Sequence, residues 1–169
     1  EGLIPNQNLH GVTAQDMVIV TDKSLIDQAN RLAAFHRQNQ GLKVLVVDPE
    51  SIYHEYSSGI PDPTAIRNFM KMLYDRAAGD VTRRPKYLLL FGGASYVQLE
   101  SGSMKKNRVP AYQSSSSLDP LTSYVTDDYF GFLDDTDDIN RNAPAPMLDI
   151  GIGRIPARTP AQAKVAVDK

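Results

Sequence analysis

The apolar residues of this chain follow two alternating rhythms. Met17-Val-Ile-Val-Thr21 is a short, nearly unbroken apolar run, and Lys43 to Asp48 (KVLVVD) and Lys86 to Phe91 (KYLLLF) repeat it, with Leu148 to Gly153 (LDIGIG) as a weaker fourth copy. Such runs, rich in Val, Ile and Leu, predict strands buried on both faces. Between them the spacing becomes helical. Leu25, Ala29, Leu32, Ala33 and His36 share one face, with Ser24 and Asp27 as a capping box and Gly41 as the stop. Asp62-Pro63 opens a second helix, in which Ile66, Phe69, Met70, Leu73, Tyr74 and Ala77 keep the spacing as far as Gly79.

Strand, helix, strand, helix, strand predicts an α/β fold, a three-layer sandwich around a mainly parallel four-stranded sheet. Right-handed crossovers place helices on both faces and gather functional groups at the carboxyl ends of the strands. Thr21-Asp22, Asp48-Pro49, Gly92-Gly93 and Arg154 should line that edge.

Both ends read as cut. Residues 1–15 are polar and unpatterned, a linker entering a domain over 16–169, and the last helix has Thr159 as N-cap, Pro160 at its first position and Gln162 closing a capping box, with little chain after it.

A long insertion before the last strand breaks the rhythm. About 55 residues separate Gly92 from Met147, and connections of this length are usually functional or disordered. Ser114-Ser-Ser-Ser117 reads as a surface loop. From Asp119 to Asp149 there are eight aspartates and one basic residue, Arg141. One reading is a solvated acidic turn around a β-hairpin. The other is a calcium site, since hard cations take six to eight oxygen ligands and closely spaced Asp and Asn side chains supply them. Asp134, Asp135, Asp137, Asp138, Asn140 and Asn142 have that spacing, though without the central Gly and terminal Glu of an EF-hand.

Other chemistries fit worse. Gly93-Ala-Ser95-Tyr-Val97 follows a strand as a nucleophile elbow does, but Val97 replaces the second glycine. Gly151-Ile-Gly153-Arg-Ile-Pro156 has Pro156 where the dinucleotide fingerprint needs its third glycine, so close backbone packing explains it better. His10, His36 and His54 lack metal-ligand spacing, with His36 on a helix edge and His54 in a polar turn region. Arg83, Arg84 and Lys86 read as a solvated loop. A receiver-like or nucleotide-binding domain would need a phosphate loop, or an acidic pair with a distal lysine, and neither is present.

Composition narrows this further. The 18 basic and 20 acidic residues give a net charge of −2, without the basic excess that tracks phosphates, so nucleic acid is not an expected partner. No apolar window is long enough for a membrane span, and no secretory signal opens the chain. There is no cysteine among the 169 residues, which excludes disulfides, thiolate metal sites and a cysteine nucleophile within them.

Four segments in order resemble the gingipain family of cysteine peptidases, and most closely its PorU-type branch, the signal peptidases or sortases of the type IX secretion system. They are Ser57 to Arg76, Pro85 to Gly92, Ser123 to Asp135 (SYVTDDYFGFLDD) and Leu148 to Pro156, and the resemblance runs from about Asp16 to Lys169. It implies the first of two side-by-side subdomains related to the caspase fold. The catalytic histidine and cysteine are expected in the second subdomain, after Lys169, so no catalytic residue is carried onto this chain. The implied partners are that second subdomain of the same chain, protein substrates with C-terminal secretion signals and components of the secretion system. The implied location is the bacterial cell surface, outer membrane or extracellular space. Asp127 aligns with a family aspartate ahead of Phe130-Gly131, which makes it the leading ligand or loop-organising residue; with Asp134, Asp135 and Asp137 it completes the expected calcium set. Relatives tend to have an acidic residue where this chain has Gly93. A noncatalytic α/β binding or scaffold module fits the missing nucleophile equally well.

Overall fold

The computed structural model describes residues 7–95, 107–114, 118, 119, 121–137, 139 and 147–169. Along the chain come β1 (Met17–Thr21), α1 (Ile26–Gln40), β2 (Val44–Val47), α2 (Pro49–Tyr56), α3 (Pro63–Arg76) and β3 (Tyr87–Phe91). There follow β4 (Tyr112–Gln113), β5 (Val125–Thr126), β6 (Gly151–Ile155) and α4 (Pro160–Val167), with short 3-10 turns at Leu9–Gly11, Lys23–Leu25 and Asp128–Gly131. Strands β2, β1, β3 and β6 form, in that order, a four-stranded parallel sheet, with Val18 opposite Leu45 and Leu88, and Leu88 opposite Ile152.

Helices cover both faces, which is why the strands read as apolar runs without alternation. On one face α2 and α3 bring Ile52, Ile66, Phe69, Met70 and Leu73 against Val18, Val20, Leu88 and Leu90. On the other, α1 and α4 bring Ala29, Ala33 and Ala163 against Met17, Ile19 and Phe91. All five residues of β1 are buried. Each fully buried Ile or Phe here contributes about 1.5–3 kcal/mol relative to an exposed one. The expected three-layer α/β architecture is the observed one.

Local details differ from the sequence reading. The first helical segment is capped by Asp22, not Ser24: Lys23–Leu25 form a 3-10 turn ahead of α1, and the Asp22 carboxylate accepts the Ser24 N–H at 3.0 Å. Gly41 ends α1 in the left-handed conformation at φ 67°, as its position requires. His54 lies on a helix, α2, which begins at Pro49 with Asp48 accepting the Ser51 N–H at 3.2 Å. Only Ile52 and Tyr53 of α2 are buried beyond its leading proline, so its eight residues leave almost no periodic signal. Strand β6 starts three residues later than the apolar run, because Asp149 turns aside to bind the insertion. The expected linker is docked from Gln7 onward, with Leu9 buried against the α2–α3 face.

Candidate functional site at the carboxyl edge of the sheet

Arg154 sits near the carboxyl end of the edge strand β6, and its guanidinium points into the insertion. Nε donates to Asp127 Oδ2 and Nη2 to Asp127 Oδ1, both at 2.7 Å. Nη1 donates to the carbonyls of Gly92 and Val109 at 2.8 Å, and Nη2 donates to that of Pro110 at 3.0 Å. The fork has five N–H groups, and five acceptors meet it. With side-chain exposures of 14% and 25% for Arg154 and Asp127, the pair is largely withdrawn from water. It ties together β6, the turn after β3, the stretch before β4 and the residue after β5.

The second hold on the insertion comes from α3, whose residues 64, 67, 71 and 74 lie along one side of the helix. The Tyr129 hydroxyl donates to Thr64 Oγ1 at 3.1 Å. Arg67 Nε donates to the Phe132 carbonyl at 2.8 Å and its guanidinium lies 5.6 Å from the Tyr129 ring centroid. Lys71 Nζ donates to the Leu133 carbonyl at 3.0 Å. The Tyr74 hydroxyl lies 3.0 Å from Asp134 Oδ1 and 3.1 Å from Asp149 Oδ1, sharing its proton between them. Phe130 and Leu133, from the acidic run, are fully buried in the α2–α3 core. Gly131 passes so close to β6 that a Cβ there would stand 2.6 Å from Ile152 Cδ1 and 2.8 Å from Leu148 Cδ2.

The four aspartates read as one calcium set separate in space. Asp127 is committed to Arg154. Asp135 is 89% exposed and paired with Lys71 at 2.7 Å, a contact that holds its carboxyl below the ordinary range. Asp134 and Asp137 do come together, joined by Asp149: one carboxylate oxygen from each lies within 4.8 Å of the others. Sequence reasoning passed over Asp149 because it stands at the head of a strand run, remote from the acidic loop. Its Oδ2 accepts the N–H groups of Leu133 at 2.7 Å and Asp134 at 3.2 Å. Asp137 Oδ2 accepts the Asp134 N–H at 3.1 Å. Partial burial, and after it the charges of Asp149 and Asp134, push the Asp137 carboxyl above its ordinary value, with the Asp134 N–H pulling the other way. Burial, then the hydrogen bonds to Asp134 and Asp149, push the Tyr74 phenol up to about 12. The donor set is all oxygen, which suits a hard cation. Asp138, Asn140 and Asn142 lie outside the described residues.

At the strand ends, Thr21 Oγ1 donates to the Phe91 carbonyl at 2.9 Å, and Arg108 reaches Asp22 at 3.4 Å. Gly93 donates to the Ala157 carbonyl and accepts the Arg108 N–H, both at 2.8 Å, and a Cβ on it would meet Arg158 Cγ at 3.0 Å. An acidic side chain at 93 therefore has no place until Arg158 moves. The hairpin expected within the acidic run does not form there among the described residues: β5 pairs antiparallel with β4, which precedes the run, with Tyr112 opposite Thr126, and Asp128–Gly131 form a 3-10 turn. Arg154 is the residue that sequence reasoning placed at the edge without a role, and its only signal was a lone cation inside a strand run.

The match to the family "Peptidase family C25" spans residues 11–169. Among solved structures, dimeric latent PorU from Porphyromonas gingivalis is similar at 40% identity with a TM-score of 0.82, over 98% of this chain and 16% of that one. No curated protein matches.

Proposed function

The chain belongs to peptidase family C25, the gingipain family of cysteine peptidases, and on that premise we propose that it is the noncatalytic half of a cysteine endopeptidase that processes C-terminal signals of type IX secreted proteins at the bacterial surface. The likeness to PorU, at 40% identity over 98% of the chain, carries the reading. The lack of any cysteine among these 169 residues supports the noncatalytic part of the reading, since thiolate attack needs a cysteine and an adjacent base. The chain spans 16% of the length of the PorU chain that it matches, which leaves room for a catalytic subdomain as its partner in the same protein. No helix among the described residues is long and apolar enough to cross a membrane. In this reading Arg154, Asp127 and α3 brace the strand-end face against which the catalytic half packs, and none of them touches reacting atoms.

The test compares this 169-residue chain with a longer chain containing it, on peptides that end in a secretion signal. Thiol-sensitive cleavage by the longer chain and none by this one is the expected result. No thiol-sensitive cleavage by either would favour the scaffold reading.

Calcium is a separate proposal, supported by the oxygen-only set of Asp134, Asp137 and Asp149. Those residues would hold the ion, which would order the loop. Raising calcium should raise the melting temperature; an unchanged melting curve counts against it.

A further inference from the structure

Glu55, near the end of α2, gathers the chain that leads into the domain. Its Oε1 accepts the Leu9 N–H at 2.7 Å and the Gln7 Nε2–H at 3.1 Å. Its Oε2 accepts the His10 N–H at 3.0 Å and lies 2.7 Å from His10 Nδ1. One carboxylate thus serves three residues within a single turn of chain. Around it, Gln7 Nε2 donates to the Ser51 carbonyl at 2.7 Å, Arg76 donates to the His10 carbonyl, and the His10 ring stacks on Tyr56 at 4.5 Å. Leu9 is buried, and Val12 packs at the margin of the same core.

The holding changes character at Gln15. None of residues 7–14 pairs with the sheet. Asp16 is fixed into it: its N–H donates to the Lys43 carbonyl at 2.9 Å, its carbonyl accepts from Lys86 and Tyr87, and its carboxylate meets Lys86 Nζ at 2.8 Å. A cavity of about 220 Å³ lies under Gly11–Ala14, walled by Leu73, Arg76, Ala77 and Arg83, so the segment is not fully packed below. The Tyr56 hydroxyl is buried with no hydrogen-bond partner among the described residues.

We propose that residues 7–14 form a strap that Glu55 clasps, and that loss of the Glu55 charge releases the strap as a unit, pivoting at Gln15, while the sheet stays intact. Beside Glu55 stand His10 from the strap and Tyr56 on α2, and Arg76 on α3 donates to the His10 carbonyl. The clasp depends on the charge of the Glu55 carboxylate, which accepts from Gln7, Leu9 and His10. Burial alone would raise the Glu55 carboxyl, but the hydrogen bonds from the Leu9 N–H, the His10 ring and the His10 N–H outweigh it and hold it below its ordinary value. The clasp is therefore present above the ordinary glutamate range and lost as pH falls through the folded value. The inference stands on the fold and not on the peptidase reading.

Amide hydrogen exchange at neutral pH tests it on the wild type, on Glu55→Gln, which keeps the shape without the charge, and on Glu55→Asp, which keeps the charge with less reach. Protection of the Leu9 and His10 amides should fall at least about tenfold in Glu55→Gln, the scale of a lost charge-assisted hydrogen bond, with Ile19 and Phe69 unchanged. Glu55→Asp should fall between the two. Unchanged protection at Leu9 and His10 in Glu55→Gln would overturn the clasp. Parallel loss at Ile19 and Phe69 in both variants would overturn the separate strap.

Discussion

Arg154 and Asp127, 27 positions apart in sequence, meet through two parallel hydrogen bonds of 2.7 Å, and the same guanidinium takes the carbonyls of Gly92, Val109 and Pro110. The pair closes the insertion over the sheet edge. Removing one partner leaves the other's hydrogen-bonding groups without acceptors or donors in a largely water-free place, so Arg154→Ala should cost about 3 kcal/mol and lower the melting temperature by roughly 6–12 °C. Arg154→Lys should recover only part of that, since an ammonium cannot form the fork. Asp127→Asn should cost about 1–2 kcal/mol, because one oxygen still accepts. Thermal denaturation of the three variants checks the order.

Gly131 is held to glycine by space. A methyl there would press on the ends of Ile152 and Leu148, so Gly131→Ala should destabilise by about 1–2 kcal/mol. The nearest clash is with Ile152 Cδ1, which valine lacks. Adding Ile152→Val to Gly131→Ala should cost less than the sum of the single changes, as a double-mutant cycle in denaturant would show.

Tyr74 links α3 to the acidic loop through its hydroxyl, and Tyr74→Phe should cost about 1 kcal/mol at pH 7. Its phenol is pushed up to about 12. A group whose folded pKa lies above its unfolded one stabilises below the unfolded value and loses that contribution as pH rises through the folded one. Wild type should therefore lose stability between roughly pH 10 and 12, with a smaller loss in Tyr74→Phe. Equal slopes in urea melts across that range would count against the shared proton.

Asp137 carries the opposite lesson at lower pH. Its carboxyl is raised in the fold, chiefly by burial, so its ionisation opposes folding once pH passes its ordinary range. In chelator at pH 7, Asp137→Asn should raise stability by about 0.5 kcal/mol, a figure kept small by solvent screening. Excess calcium should reverse the order, stabilising the wild type and leaving Asp137→Asn unmoved. A variant no more stable than wild type in chelator would show that holding the Asp137 carboxylate ionised in this place costs the fold nothing.

Much of this was legible in the chain. Val18, Ile19 and Val20 announce a strand covered on both sides, and the spacing from Ile66 to Leu73 announces the helix that covers one of them, because burial of apolar area repeats with the geometry of each element. Pro63 and Thr159 mark helix starts because an N-terminal turn has unpaired N–H groups to satisfy. Helix α2 was not legible, since eight residues with two buried beyond the first proline leave no period to read.

The acidic run shows where the boundary falls. By itself the sequence determined that this is a parallel α/β member of a cysteine-peptidase family, that it holds no cysteine, and that an aspartate-rich insertion precedes its last strand. Only the tertiary structure decided which carboxylate does what. Asp127 goes to Arg154, Asp135 to Lys71, and Asp149 joins Asp134 and Asp137. Like charges close in sequence cannot be sorted by spacing, because what separates them is the position of partners on β6 and α3, brought there by the burial of Phe130 and Leu133.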